Sequence, residues 1–246
     1  MNFKIIFLII VFIIIMLCNY NYSKNFTENE IPKILHLIWI GTKEQPKDIT
    51  SWIYKFKEKN PDWKVKVWGN EDIKNLNLVN INEFNKMKMM AGKADIARYE
   101  ILYRFGGMYL DADTLYLENP VNPNFFKKSL NMTHEENGLI MNGWFTCIKN
   151  HPFLKLAIDM IPKRDLNLDA FICVGPKLLT DIYNNMNDND REKYDINFVD
   201  LKTVLCPTIW HGITQNNYNS LLESCKKESN ALAFHWGLST NPNLTL

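Results

Sequence analysis

Net charge is what this 246-residue chain has least of: 28 basic residues against 27 acidic ones leave +1. A chain without a dominant sign sets up no field that would gather nucleic acid, so a nucleic-acid partner is not expected. Cysteine is scarce as well, with five residues and no Cys-x-x-Cys pair, which argues against a structural zinc site. No internal repeat divides the chain. Its length, with 46% hydrophobic and 13% aromatic residues, points to one domain or at most two small ones, with a sizeable core.

Polar residues are missing altogether from Ile5 to Cys18, an apolar run behind Lys4. A soluble helix would interrupt it with polar positions at helical spacing. No small-x-small cleavage site follows, and Phe12 to Leu17 are all large. Residues 1–18 therefore read as a retained signal anchor, with a cleaved signal peptide as the alternative because the run is short for a bilayer. Residues 19–30 read as a short polar stem and 31–246 as the folded domain. The expected address is a single-pass type II membrane protein with a lumenal domain of the Golgi or ER kind, or a secreted protein if the segment is removed. Asn21, Asn25, Asn131 and Asn243 each open an N-glycosylation triplet. Cys147, Cys173, Cys206 and Cys225 permit two disulfides in three connectivities, with unpaired buried thiols as the other reading.

What is present begins at Ile34 to Ile40, a buried strand ending at Gly41. Asp48 is expected to cap a helix from Ile49 to about Lys59, and Trp63 to Trp68 alternates as a second strand. Strand, helix, strand is the start of an open α/β sheet, whose ligands gather at the carboxyl ends of the strands. An amphipathic helix from Lys93 to Phe105, burying Ala94, Ala97, Ile101, Leu102 and Phe105, stops at Gly106-Gly107. A strand then runs from Met108 into Asp111-Ala112-Asp113. Further on, Leu139 to Ile148 reads as a strand, helices open at Pro152 and Pro176, and Asn187 to Asp190 reads as a polar loop. Short strands are expected around Phe198, Val204 and Ala231 to Phe234.

Two aspartates at i and i+2 leave a strand on one face, and two carboxylates side by side call for a cation; hard oxygen ligands suit Mn²⁺ or Mg²⁺. Three further stretches accompany the pair: Ile31-Pro32-Lys33-Ile34-Leu35-His36-Leu37-Ile38-Trp39, Ala94-Asp95-Ile96-Ala97-Arg98-Tyr99, and Tyr103-Arg104-Phe105-Gly106-Gly107-Met108-Tyr109-Leu110. With these, the chain resembles the family 32 glycosyltransferases, which carry an Asp-x-Asp sugar-binding region and include initiating α-mannosyltransferases and inositol-phosphoceramide mannosyltransferases. Weaker matches follow at Asn142, His151-Pro152-Phe153, Gly175-Pro176 with Thr180, and His235-Trp236.

The resemblance implies a GT-A fold, a Rossmann-like domain with a central mixed sheet flanked by helices. It implies a metal-dependent hexosyltransferase that acts with retention. The donor would be a nucleotide sugar, GDP-mannose or a UDP-hexose, and the acceptor a glycan or glycolipid. Asp113 would ligate the metal, with Asp111 sharing it or meeting donor hydroxyls and His235 completing the set. Asp95 and Arg98, three apart on one helix face, would grip donor hydroxyls. Trp39 would stack on the nucleobase, and Asn142 would sit beside the metal or the acceptor. Each has a plainer reading: an intrahelical ion pair for Asp95 and Arg98, core packing for Trp39, a satisfied buried group for His235 and Asn142. No residue is named as nucleophile or base. After His235-Trp236 the chain departs from the family pattern, with Thr240 following Ser239 where a Ser-Trp pair is common.

Two rival readings remain. Asp111-Ala112-Asp113-Thr114 also fits the first motif of haloacid-dehalogenase-type phosphatases, with Asp111 as nucleophile, but this requires a helix straight after the motif. The other is an inactive, lectin-like membrane protein.

Overall fold

The computed structural model describes residues 30–209 and 212–237. The apolar run, the stem to residue 29, the triplets at Asn21, Asn25 and Asn243, and Ser239-Thr240 lie outside the described residues. Among those described, no helix is long and apolar enough to cross a membrane.

Strand β1 (Ile34–Ile38) is followed by helix α1 (Lys47–Lys59) and strand β2 (Lys64–Trp68), as the hydrophobic pattern requires. β2 pairs parallel to β1. Helix α1 starts behind Pro46 with no side-chain cap, so Asp48 falls inside the first turn instead of capping it. Helices α2 (Asn70–Leu76) and α3 (Ile81–Lys86) lead to α4 (Met90–Phe105), which feeds β3 (Gly107–Leu110). β3 lies parallel to β1 on its other side. Strand β4 (Thr114–Tyr116) comes directly after the two aspartates, then β5 (Leu130–Met132) and β6 (Trp144–Cys147). Helices α5 (Pro152–Met160), α6 (Ala170–Cys173), α7 (Pro176–Asn184) and α8 (Asp188–Lys193) precede β7 (Ile196–Phe198). Helix α9 (Leu201–Val204), β8 (Leu205–Cys206), α10 (Tyr218–Glu228) and β9 (Ala233–His235) complete the order.

The large sheet runs β2-β1-β3-β6-β5-β7. β6 is antiparallel to both β3 and β5, and β7 is parallel to β5, so β6 alone of the described strands in this sheet runs against the rest. Period-two alternation sorts the side chains between two cores. Leu35, Leu37, Met108 and Leu110 face Ile49, Trp52 and Phe56 of α1. Ile38, Tyr109 and Phe145 face Ile96, Ile101 and Leu102 of α4, with Phe153 of α5 and Leu178 of α7 beyond. A second, three-stranded sheet, β4-β9-β8, stands apart in the pairing and brings the end of the chain back to the aspartates.

Several expectations are corrected. Phe105 is 39% exposed, while the inward face of α4 carries Asp95, Arg98 and Glu100. The strand expected over Leu139 to Ile148 is confined to Trp144–Cys147, because the preceding residues form a hairpin closed by the His134–Ile140 bridge. Asn187 is a helix cap, accepting from the Asp190 amide, whereas the short strand expected around Val204 is present as β8, starting at Leu205. Cys206 and Cys225 form a disulfide, whereas Cys147 and Cys173 are buried free thiols. Asn131 is fully buried in β5, its amide donating to Lys128 O and Thr146 Oγ1, so in the folded chain it offers nothing to a glycan-transferring enzyme.

Candidate active site

The site is built where β3 ends. Gly106 and Gly107 turn the chain into β3 with φ of 62° and 101°, a region that side chains with a Cβ seldom enter. A Cβ on Gly107 would also lie 2.5 Å from Ile34 O. His36 pins this turn: its Nε2 lies 2.9 Å from Gly106 O and its Nδ1 accepts from Trp68 Nε1 at 3.1 Å, which fixes the proton on Nε2. Burial holds the imidazole neutral, with its pKa lowered to about 4. The strand so anchored is seated tightly between β1 and β6.

The two aspartates lie beyond the strand, in the turn between β3 and β4, and the same-face argument from strand spacing does not apply to them. They converge all the same. The Asp111 amide donates to Gly143 O at 2.9 Å, and Thr114 Oγ1 donates to Asp111 O at 2.7 Å, which closes the turn. β4 pairs with β9 so that Thr114 stands opposite His235, and the Trp236 amide donates to Asp113 O at 3.3 Å. His235 Nε2 is thereby set 3.1 Å from Asp113 Oδ1. Asp111, Asp113 and His235 each bring one ligand atom within 4.8 Å of the others. Two carboxylate oxygens and an imidazole nitrogen form a donor set that fits Mn²⁺ or Mg²⁺ with coordination positions to spare. Burial works against a charge on His235, but the surrounding carboxylates, Asp113 foremost, together outweigh it and the pKa moves up.

Beneath Asp111 lies a buried charged network. Arg98 donates to Asp95 Oδ1 at 2.8 Å, to Asp111 Oδ1 at 3.0 Å, and to the Asn142 carbonyl. Its guanidinium covers the Tyr109 ring at 4.5 Å, and Tyr109 OH donates to Asp111 Oδ1 at 2.9 Å. Asn142 donates to Asp95 Oδ1 at 3.0 Å. Burial raises the Asp95 pKa to about 7, with Arg98 pulling the other way. The structure thus brings Asp95, Arg98 and Asn142 to the site but turns them inward. Their side chains hold one another and Asp111, and Asn142 sits in the turn before β6, not within a strand. Trp39 lies on the same carboxyl edge, just past β1, with its Nε1 donating to Lys43 O at 3.0 Å.

Sequence reasoning missed Tyr109 and Gly143. Tyr109 was legible, since it stands two residues before Asp111. Gly143 was not, because its closeness to Asp111 depends on the β3–β6 pairing. The segment after the aspartates is β4, where the phosphatase reading needs a helix.

Residues 43–137 match the family described as the glycosyltransferase sugar-binding region containing the DXD motif. Inositol phosphoceramide mannosyltransferase 1 of Schizosaccharomyces pombe is 28% identical over 165 residues, covering 61% of this chain and 50% of that protein. Glycosyltransferase L373 of Acanthamoeba polyphaga mimivirus is 29% identical over 182 residues, covering 70% of this chain and 72% of that one. The chain thus spans half the length of the Schizosaccharomyces enzyme. Among solved structures, the PaToxG glycosyltransferase superposes with a TM-score of 0.52 over 86% of this chain and 84% of its own, at 18% identity. The UDP-bound glycosyltransferase domain of the YGT toxin does so with 0.51 over 70% and 81%, at 10% identity. The fold is that of the GT-A glycosyltransferases. Within that fold, residues 43–137 match the DXD sugar-binding region, and the chain is similar to glycosyltransferases that include the inositol phosphoceramide mannosyltransferases.

Proposed function

We propose that this chain transfers a hexosyl group of the mannose, galactose or glucose type from a nucleoside diphosphate sugar to a glycan or glycolipid hydroxyl. The observation that carries the proposal is the convergence of Asp111, Asp113 and His235 on the carboxyl edge of the sheet. A divalent ion held by these three would neutralise the diphosphate as the anomeric bond breaks. The chain's own part is positional. Arg98 and Tyr109 fix one oxygen of Asp111, the β4–β9 pairing fixes His235, and Trp39 offers an aromatic face on the side of β1 for the base. Asp95 and Asn142 steady Arg98 from below, so their effect on the donor passes through Asp111. The mannosyltransferase relatives support GDP-mannose as a donor, the UDP-bound toxin domain supports a UDP-hexose, and retention follows from the resemblance alone. A lumenal domain tethered by the N-terminal apolar run completes the proposal.

The test is a donor screen of the full chain with GDP-mannose, UDP-galactose and UDP-glucose, with Mn²⁺ and with EDTA. Hydrolysis or transfer from one donor should require the metal, and Asp113→Ala should lower the rate by at least about a hundredfold, in line with the loss of a charge-stabilising group. If no donor is turned over and none binds by calorimetry, the proposal is lost.

A further inference from the structure

A cleft of about 270 Å³ opens on the same edge of the sheet, between the Thr133–Glu136 and Val199–Lys202 segments that follow β5 and β7. In the strand order β2-β1-β3-β6-β5-β7, the aspartates end β3, Trp39 lies on the β1 side of them and the cleft on the β5–β7 side. A donor reaching from Trp39 to the aspartates would therefore present its sugar towards the cleft.

A single hairpin links the cleft to the aspartates. Met141 N donates to Thr133 O at 2.9 Å and Glu135 N to Leu139 O at 2.8 Å, so one end of the hairpin lines the cleft. The other end runs straight into Asn142 and Gly143, which bond Arg98 and Asp111. The base of the cleft is sealed by Thr133 Oγ1, which donates to Val199 O at 2.9 Å, and by Val199 N, which donates to Met132 O at 2.9 Å. On its wall the His134 ring stacks on Phe198, with centroids 4.2 Å apart and planes 26° from parallel.

The chemistry of the lining selects among ligands. Glu135, Glu136 and Asp200 face a single cation, Lys202, and burial lowers the His134 pKa so that the ring is neutral near pH 7. Carboxylates are acceptor-only groups that bind vicinal hydroxyls well and repel phosphate. The volume falls just below the roughly 300–1,000 Å³ of pockets for drug-sized ligands, which suits one sugar ring rather than a lipid chain. We infer that this cleft is the acceptor subsite and that it holds an uncharged pyranose or cyclitol ring, with any phosphate of the acceptor kept outside it. The word acceptor rests on the transferase reading; the binding itself does not.

The probes are methyl α-mannopyranoside, myo-inositol and their phosphates, mannose 6-phosphate and inositol 1-phosphate, titrated into the full chain in detergent and followed by ligand-observed NMR without donor. At least one neutral ring should bind saturably, and its phosphate more weakly. Glu136→Gln combined with His134→Ala should weaken the neutral ring roughly tenfold, the effect expected for losing about one charge-assisted hydrogen bond. Glu136→Lys should shift preference towards the phosphate. Circular dichroism confirms that each variant is folded. The inference is overturned by absence of neutral-ring binding, by equal binding to the double variant, or by tighter binding of the phosphates to the unaltered chain. A chain that binds the ring but neither turns over nor binds any donor would refute the proposed transferase activity and leave only the ring-binding assignment standing.

Discussion

At Gly143 the site leaves no room for a single methyl group. A Cβ there would lie 2.5 Å from Asp111 Oδ2 and 3.1 Å from the Met141 side chain. Asp111 cannot retreat, because Arg98 and Tyr109 already fix its other oxygen and Gly143 O accepts from its amide. Gly143→Ala must therefore move the carboxylate, the Gly143 backbone, or both. We expect about tenfold weaker Mn²⁺ binding by calorimetry, equivalent to about 1.4 kcal/mol, while the far-ultraviolet circular dichroism is unchanged. Gly212→Ala, where an added Cβ meets nothing within 4 Å, is the matched control. Equal Mn²⁺ affinity in the two variants would show that Asp111 is not held as described. Arg98 is 4% exposed and sits between two carboxylates, so its charge is spent on pairing with Asp95 and on aiming Asp111.

At the scale of elements, the weak part of the site is the small sheet. β4 and β9 have three residues each and β8 has two, too short to be stable alone, yet β9 carries His235. The Cys206–Cys225 disulfide ties β8 to α10 across a sequence separation of 19 and buttresses β9 from the far side. A loop of that length is worth about 3 kcal/mol through the entropy of the unfolded chain. Cys225→Ser should accordingly lower the melting temperature by roughly 6–12 °C for a domain of this size. Mn²⁺ binding should weaken more than it does for Cys173→Ser, which alters a thiol outside the small sheet. Equal effects of the two substitutions would detach the disulfide from the site. This is also where the sequence was hardest to read. β1, α1, β2 and α4 announced themselves by periodicity, and the Asp-x-Asp pair by its place after an apolar strand. Two- and three-residue strands carry too few positions for a period to show. Only the resemblance pointed to His235, and the β4–β9 pairing supplied the reason. The inward pairing of Asp95 with Arg98 was equally hidden, because i,i+3 spacing establishes a shared helix face and not which way that face points.

For the molecule as a whole, buried ionisable groups set how stability depends on pH. His36 in the sheet and His151 at the start of α5 are both buried and neutral, with pKa values lowered from 6.5 to about 4. The unfolded chain binds protons at these positions first, so the stability they confer is complete above pH 6.5 and is lost as pH falls towards 4. A shift of this size corresponds to about 3 kcal/mol for each histidine. Asp95 has the opposite sign: its raised pKa, about 7, gives a contribution that is present below the ordinary carboxylate range and lost as pH rises through 7. The two trends offset each other, and the unaltered chain's profile is shallower than the histidines alone would give. A difference curve separates them. In His36→Asn the amide oxygen can still accept from Trp68, and nothing titrates at that position. Urea unfolding at steps from pH 7 to pH 4 should then show the unaltered chain losing about 3 kcal/mol more than the variant, with nearly all of the difference arising below pH 6.5. A flat difference curve would mean that His36 titrates in the fold as it does in the unfolded chain, and that the Gly106 turn beneath the aspartates is held by something else.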